Sequence, residues 1–311
     1  MFKEIFDEIK KFDTVIIHRH FNPDGDAIGS QVGLKHILKD AFPQKEILSV
    51  GDNAGRYSFM DDSIMDDVPD EKFSNALSII LDCGSAHLIS DERYKEAKET
   101  IRIDHHTFSG KFADFEYIDS TAESCCGEIT KMAMDLDLKV SPIAAKSLFT
   151  GMVTDSGRFR YDATTPQTFR EAAFLLEKGF NTDDIYLNLY ADDMSMKQLR
   201  AKFILKIQQT EKNVAYIFTS KEEMKALNAD TFTISRGMVG TMAEIKGIDI
   251  WVNFTEIEDG ILCEIRSARK SVVDIAKKYG GGGHDKACGA TLQSREEMRS
   301  MLSDLDARME E

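Results

Sequence analysis

Two periods of apolar and polar residues alternate along the chain. Val15, Ile16 and Ile17 form a short β-branched run followed by the turn residues Asn22, Pro23 and Gly25, which predicts a buried parallel strand. Over residues 27–42 the apolar positions Ile28, Val32, Ile37, Leu38 and Ala41 recur at helical spacing. Strand, polar turn and helix make the first half of a βαβ unit, a fold whose ligands sit at the carboxyl ends of strands. Residues 1–12 set Phe2, Ile5, Phe6 and Ile9 among acids and lysines, an amphipathic helix. Residues 47–50 and 76–81 read as further strands, and Ile101-Arg102-Ile103 leads into a polar triplet. Helices are expected over 92–100, 123–136 and 141–154, and residues 60–74 as a solvated acidic loop.

Beyond residue 190 the pattern starts afresh. Residues 191–210 carry Met194, Leu199, Phe203 and Ile207 on one helical stripe, expected to be core. A strand over 214–218 and a helix over 221–228 follow. Residues 250–254 and 261–266, joined through Glu-Asp-Gly, predict a hairpin. A helix over 272–279 then runs into Gly280, Gly281, Gly282 and Gly283.

At 311 residues the chain is long for a single core, so two domains are expected. Its 39 basic against 54 acidic residues leave −15, which argues against wrapping a long polyanion. A small phosphorylated substrate held by a few local arginines stays compatible. The candidate basic residues Arg158, Arg266, Arg269, Lys270 and Lys286 form no stripe. Cys83, Cys125, Cys126, Cys263 and Cys288 are odd in number and lack CxxC spacing, which points to a reducing compartment. No signal-peptide core and no apolar run near the ~18 residues of a membrane span are present, so the expectation is a cytoplasmic protein away from membranes.

Composition leaves the chemistry to a few turns. His20, Asp24 and Asp26 crowd the first; taken alone, that segment reads rather as a hydrated Asp-rich turn. Yet Asp82 closes one strand, Asp104-His105-His106 another, and Asp155 stands at a further turn. In an open parallel sheet such ends converge on one crevice. Four carboxylates (Asp24, Asp26, Asp82, Asp155) and two imidazoles (His20, His105) would repel there unless cations compensate them. Their number suits two metals sharing a bridging carboxylate. The mixture of donors suits manganese best, with zinc, cobalt or iron as alternatives. Four glycines let backbone amides approach an anion or a base. Flanked by Arg266, His284 and Lys286, they read as a substrate clamp. Arg158 and Arg160, just after Asp155, either add positive charge there or lie on the surface.

His20-x3-Asp24-x-Asp26, Asp82, Asp104-His105-His106 and Asp155 together resemble the four motifs of the DHH phosphoesterase superfamily. That superfamily includes RecJ-like exonucleases and manganese-dependent pyrophosphatases. Downstream, Cys263-Glu264-Ile265-Arg266-Ser267 and Gly281-Gly282-Gly283-His284 with Ala287-Cys288-Gly289 look like the DHH-associated domain and its GGGH-x-x-A-x-G signature. Cys288 stands where the family often has alanine, a small-for-small change. The resemblance covers nearly the whole chain and is nearest to the bifunctional oligoribonuclease (nanoRNase) and 3′-phosphoadenosine-5′-phosphate phosphatase subgroup.

It implies an α/β protein with a parallel-sheet DHH catalytic domain over residues 1–190 and a helical connector over 191–211. A smaller α/β DHH-associated, substrate-binding domain over 212–311 follows, with the active site in the cleft between the domains. Two Mn2+ are implied, one held by His20, Asp24 and Asp82, the other by Asp26, Asp82, His105 and Asp155. His106 would contact the scissile phosphate, and Asp104 would orient a ligand histidine. Arg266, Ser267, Gly281, Gly282, Gly283 and His284 would grip the terminal nucleotide. Without a basic track for long strands, the implied substrates are RNA or DNA oligonucleotides of about two to five residues, cut to mononucleotides, and 3′-phosphoadenosine-5′-phosphate. Cyclic di-AMP or linear dinucleotide products are the alternative substrates. Inorganic pyrophosphatase is disfavoured, since it needs no base-side glycine clamp. A non-catalytic nucleotide sensor is disfavoured too, because all six ligands are present. A homodimer is compatible with this reading.

Overall fold

Strand β1 (Thr14–His18) is the apolar run near the start of the chain, and Val15, Ile16 and Ile17 are fully buried in it. Helix α1 (Phe2–Ile9) precedes it and buries Phe2, Ile5 and Ile9. The computed structural model describes residues 2–227 and 229–310. Met1, Asn228 and Glu311, expected in the first helix, at the end of the 221–228 helix and at the close of the second domain, lie outside the described residues. After β1, Asp24 caps helix α2 (Gly25–Ala41), its side chain accepting the amides of Asp26 and Ala27. Two donors that a helix start leaves unsatisfied are thereby matched.

Strands β2 (Glu46–Ser49), β3 (Leu77–Leu81), β4 (Glu99–Asp104) and β5 (Phe115–Ile118) complete a five-stranded sheet. Its order is β2-β1-β3-β4-β5, parallel throughout. Helices α3 (Cys125–Asp135), α4 (Pro142–Asp155), α5 (Pro166–Leu176) and α6 (Thr182–Tyr190) follow. Helices α2 and α4 approach so closely that a Cβ at Gly29 would come 2.5 Å from the Ser147 carbonyl. Because β1, β3 and β4 are neighbours with one direction, the residues just past their carboxyl ends fall side by side. These elements form one compact unit, Met1–Ala191; Asp192–Glu311 forms a second.

The second unit holds helix α7 (Met194–Leu205), strands β6 (Gln208–Gln209) and β7 (Ala215–Thr219), and helix α8 (Lys221–Leu227). Strands β8 (Ile250–Ile257) and β9 (Gly260–Ser267), helix α9 (Val273–Lys278), strands β10 (Gly282–His284) and β11 (Ala287–Leu292), and helix α10 (Arg295–Glu310) follow. Its sheet runs β10-β11-β9-β8-β7-β6, antiparallel except for the β7–β8 pair. One face packs Val252, Phe254, Cys263 and Ile265 against Ile275 of α9 and Met301 and Leu305 of α10. The opposite face packs Ala215 and Ile217 against Phe203 of α7. Farther across, Arg266 pairs with Ala287 and Glu264 with Gly289.

Several expectations change. The helix expected over 92–100 is a short 3₁₀ segment, Glu92–Glu96, followed by β4, because Glu99 and Thr100 pair with Leu77 and Ser78. Of the 191–210 stripe Phe203 is buried and Leu199 and Ile207 pack half-buried against the same core, whereas Met194 is 74% exposed, and Gln208–Gln209 add an edge strand. The acidic segment 60–74 is less solvated than expected: Met60, Val68 and Phe73 are buried, Phe73 against Ile16 and Val50. Strands β5 and β11 and helices α5, α6 and α10 were not anticipated. Among the described residues no helix is long and apolar enough to cross a membrane.

Candidate metal centre

His20 lies two residues past β1, in a turn bridged to Ile89. Its Nε2 sits 3.5 Å from Asp82 Oδ2 and 3.8 Å from Asp24 Oδ1. Asp82 directly follows β3 in a left-handed conformation, φ +53°, which costs a non-glycine residue about 1 kcal/mol or more and recurs at functional sites. His105 follows β4, and its Nε2 lies 3.5 Å from Asp82 Oδ1, 3.5 Å from Asp155 Oδ2 and 3.7 Å from Asp26 Oδ2. Each Asp82 oxygen therefore faces a different histidine. Asp155 arrives on the last residue of α4 rather than from a strand.

Asp26, buried in the first turn of α2, is held from across the fold. Its Oδ2 accepts the Cys125 amide at 2.7 Å and its Oδ1 the Cys126 amide at 2.8 Å. Those amides open α3, whose start favours an anion. Three donor groups result, each with its atoms within 4.8 Å of one another: His20, Asp24 and Asp82; Asp26, His105 and Asp155; Asp82, His105 and His106.

Charge explains why such a cluster needs cations. Burial, reinforced by Asp82 and Asp155, drives Asp26 well above the usual carboxylate range. Burial likewise carries Asp155 up to about 7, Asp82 and Asp24 adding to it against the pull of His105. Burial pulls the imidazoles down, but Asp24 and Asp82 raise His20 to about 11, and Asp82 with Asp26 raises His105 to about 10. Asp82 itself, though buried, is held far below its ordinary value by the two histidines. Protons on the imidazoles thus balance the carboxylates, a task that divalent cations perform more strongly. Asp82 Oδ1 is buried yet accepts no hydrogen bond, a rare condition that a coordinated cation would relieve. The mixed oxygen and imidazole donors fit a pair of first-row divalent ions.

Asp104 contacts both histidines that follow it, His106 through its ring and His105 through its amide. Its Oδ1 accepts His106 Nδ1 at 2.7 Å and the His105 amide at 2.9 Å, while buried Arg102 donates to Oδ2. The hydrogen bond to Asp104 raises the His106 ring above its ordinary value, and the side chain is 47% exposed. The ring of His105 instead has Nδ1 3.4 Å from the Ala122 carbonyl.

Two supports escaped the sequence reading. Arg19 is fully buried and donates to Asp52 Oδ1 at 2.8 Å, Gln31 Oε1 at 3.0 Å and the His20 carbonyl at 3.0 Å. Asp52 Oδ2 in turn accepts the Asn22 amide at 2.8 Å, so one ion pair secures both ends of the His20 turn. An arginine between two histidines in a polar turn carries no burial signal. The amide cradle for Asp26 had one faint signal, Ser124 as the cap of α3.

In the second unit, Arg266 Nη1 donates to the Ile265 carbonyl at 2.9 Å and lies 3.1 Å from Glu264 Oε2. Ser267 is buried and accepts the Lys270 amide at 3.0 Å. The glycine run is not a free loop, since β10 pairs with β11. That pairing accounts for two of its members: a Cβ would come 2.0 Å from the Gly289 carbonyl at Gly281 and 2.7 Å from the Ala287 carbonyl at Gly283. At Gly282 a Cβ would meet nothing within 4 Å, so packing gives no reason for glycine there. His284 is exposed. Arg269 is bound to Asp249 and Lys270 to the carbonyls of Arg308 and Met309, which removes both from the basic residues open to substrate.

Residues 14–152 match the DHH family, N-terminal domain, and residues 224–311 the DHHA1 domain. The chain is 32% identical to the bifunctional oligoribonuclease and PAP phosphatase NrnA of Bacillus subtilis (strain 168), over 97% of each chain. It is 31% identical to the Mycoplasma genitalium protein of the same name, over 97% of this chain and 95% of that one. Among solved structures, an exopolyphosphatase-related protein from Bacteroides fragilis superposes with a TM-score of 0.84 at 24% identity, covering 100% of this chain and 97% of the other. That likeness establishes a shared fold.

Proposed function

The chain belongs to the DHH phosphoesterase family, and on that footing we propose that it cuts oligonucleotides of about two to five residues to mononucleotides and dephosphorylates 3′-phosphoadenosine-5′-phosphate. It is a hydrolase of phosphoester bonds. The observation that carries the reading is Asp82, strained, buried and set between two histidines that each face a further carboxylate. The names of its relatives point to oligoribonucleotides and PAP rather than to cyclic dinucleotides.

His20, Asp24 and Asp82 would hold one divalent cation, and Asp26, Asp82, His105 and Asp155 the other, with manganese suiting these donors. Such a pair supplies Lewis acidity, acidifying water and neutralising phosphate charge. The α3 amides hold Asp26 in place against its anionic neighbours. Asp104 favours the protonated ring of His106, which would donate a hydrogen bond to a phosphoryl oxygen as charge builds there. Arg266 offers its guanidinium to a phosphate. The bare backbone of Gly282 admits a nucleotide against β10, while Gly281 and Gly283 keep that strand paired and Ser267 and His284 border it. Five free, buried thiols suit a reducing cytoplasm.

A product time course tests this, on labelled di-, tri- and pentanucleotides, a 24-residue strand and 3′-phosphoadenosine-5′-phosphate with manganese. Mononucleotides should appear fastest from the shortest strands, with a shallow salt dependence. Equal rates on the dinucleotide and the 24-residue strand, with a steep salt slope, would mark a long-strand exonuclease instead.

A further inference from the structure

We propose that the first unit carries a second nucleotide subsite beside its metal centre, in which Tyr190 and Tyr186 stack a base and Arg158 and Arg56 hold the adjoining phosphate. This rests on the phosphoesterase reading and names where the second residue of a short oligonucleotide binds.

The subsite grows directly out of the centre. Helix α4 ends on Asp155, and the chain then passes through three left-handed residues, Gly157 (φ +57°), Arg158 (φ +64°) and Phe159 (φ +61°). Two of these are not glycine, and each costs about 1 kcal/mol or more. The guanidinium of Arg158 ends 4.5 Å from the Tyr190 ring centroid. Arg56 lies 5.1 Å from the Tyr57 ring centroid and donates to the Leu189 carbonyl at 3.1 Å. Both arginines thus meet the last turn of α6.

Tyr186 and Tyr190 sit one helical turn apart, rings 6.0 Å between centroids and tilted by 31°. With Asp183, Leu187 and Ala191 they line an open groove of about 480 Å³, within the range of small-molecule sites. Tyr190 and both arginines are exposed.

Charge identifies the occupant. Arg19, Arg93, Arg102, Arg200, Arg269 and Arg295 are each spent on a carboxylate. In a chain of net charge −15, Arg56 and Arg158 have none among the described residues. Two unneutralised guanidinium groups at the helix end that carries the exposed Tyr190 ring match a nucleotide, whose phosphate takes the charge and whose base takes the ring. Stacking of this kind tolerates every base. Asp183 at the rim would repel a further phosphate, which limits the groove to one residue.

The test compares the full chain with Tyr190→Ala, Tyr190→Phe and Arg158→Gln on a 5′-phosphorylated diadenylate and on 3′-phosphoadenosine-5′-phosphate. Tyr190→Ala and Arg158→Gln should raise the KM for the dinucleotide about tenfold relative to that for the mononucleotide substrate, with kcat little changed. Tyr190→Phe, which keeps the ring, should restore the parent value. A non-hydrolysable dinucleotide bearing 2-aminopurine should lose its fluorescence on binding the parent with magnesium, and keep it with Tyr190→Ala. Equal KM changes on both substrates, or no change, overturn the subsite. So does a shift in oligomeric state without a KM change, which would make the patch a contact between copies. Turnover of bis-p-nitrophenyl phosphate by the parent tests the phosphoesterase reading separately; its absence refutes that reading while quenching by Tyr190 still reports the stacking.

Discussion

Gly282→Ala and Gly281→Ala, one residue apart, should have opposite consequences. At Gly281 an added methyl would lie 2.0 Å from the Gly289 carbonyl and 2.8 Å from the Ala290 Cα, both backbone atoms of the paired strand. Neither can rotate away, so β10 must separate from β11 at a cost of about 1–3 kcal/mol or more. At Gly282 the same methyl meets nothing within 4 Å, and no left-handed backbone angle opposes it. Alanine there restricts the unfolded chain and should stabilise by about 0.4–1 kcal/mol. Thermal melts should therefore show Gly282→Ala melting at or slightly above the parent and Gly281→Ala a few degrees below it. Function should run the other way at Gly282. A methyl on the surface that admits the nucleotide displaces it, and displacements near 1 Å cost on the order of tenfold to hundredfold. The kcat/KM for 3′-phosphoadenosine-5′-phosphate should fall by that factor relative to bis-p-nitrophenyl phosphate. A Gly282→Ala protein with undiminished kcat/KM on the nucleotide would refute the reasoning that a ligand, not the fold, requires this glycine.

Asp82→Asn removes the carboxylate that faces both histidines and should lower turnover on every substrate on the order of 10³-fold or more; near-normal rates with manganese would dismiss the two-metal assignment. Arg19→Gln removes the hydrogen bonds to Asp52 and the His20 carbonyl and loosens the His20 turn, so isothermal titration should show manganese binding weakened by about tenfold to hundredfold, and urea unfolding a loss of about 1–3 kcal/mol. Raised imidazoles stabilise the metal-free protein fully below their ordinary value of 6.5 and lose that contribution as pH climbs through about 10 for His105 and about 11 for His20. Metal-free melts should accordingly fall with rising alkalinity, whereas a flat profile from pH 7 to 11 would mean that both rings are already neutral.

Much of the centre was readable along the chain because each of its parts is local. An apolar strand, a turn residue and a carboxylate or imidazole stand next to one another at His20, Asp82 and His105, and strand direction then forces neighbours in the sheet to present those turns on one edge. The cap at Asp24 is equally local, and it is compatible with a second role for the same carboxylate as a metal ligand. Pairing partners are not local. Residues 92–100 have a helical composition, and only the ladder to Leu77 and Ser78 turns Glu99 and Thr100 into strand. The glycine run has the composition of a flexible clamp, yet the approach of Gly289 and Ala287 from β11 claims two of its members for packing and leaves Gly282 with open space around it. Nor does any pattern announce that Arg19 is buried or that Asp26 rests on amides 99 and 100 residues away. Periodicity records which face of an element is apolar; which charge a buried group meets depends on what the rest of the chain brings against it, and that is a property of the packed fold.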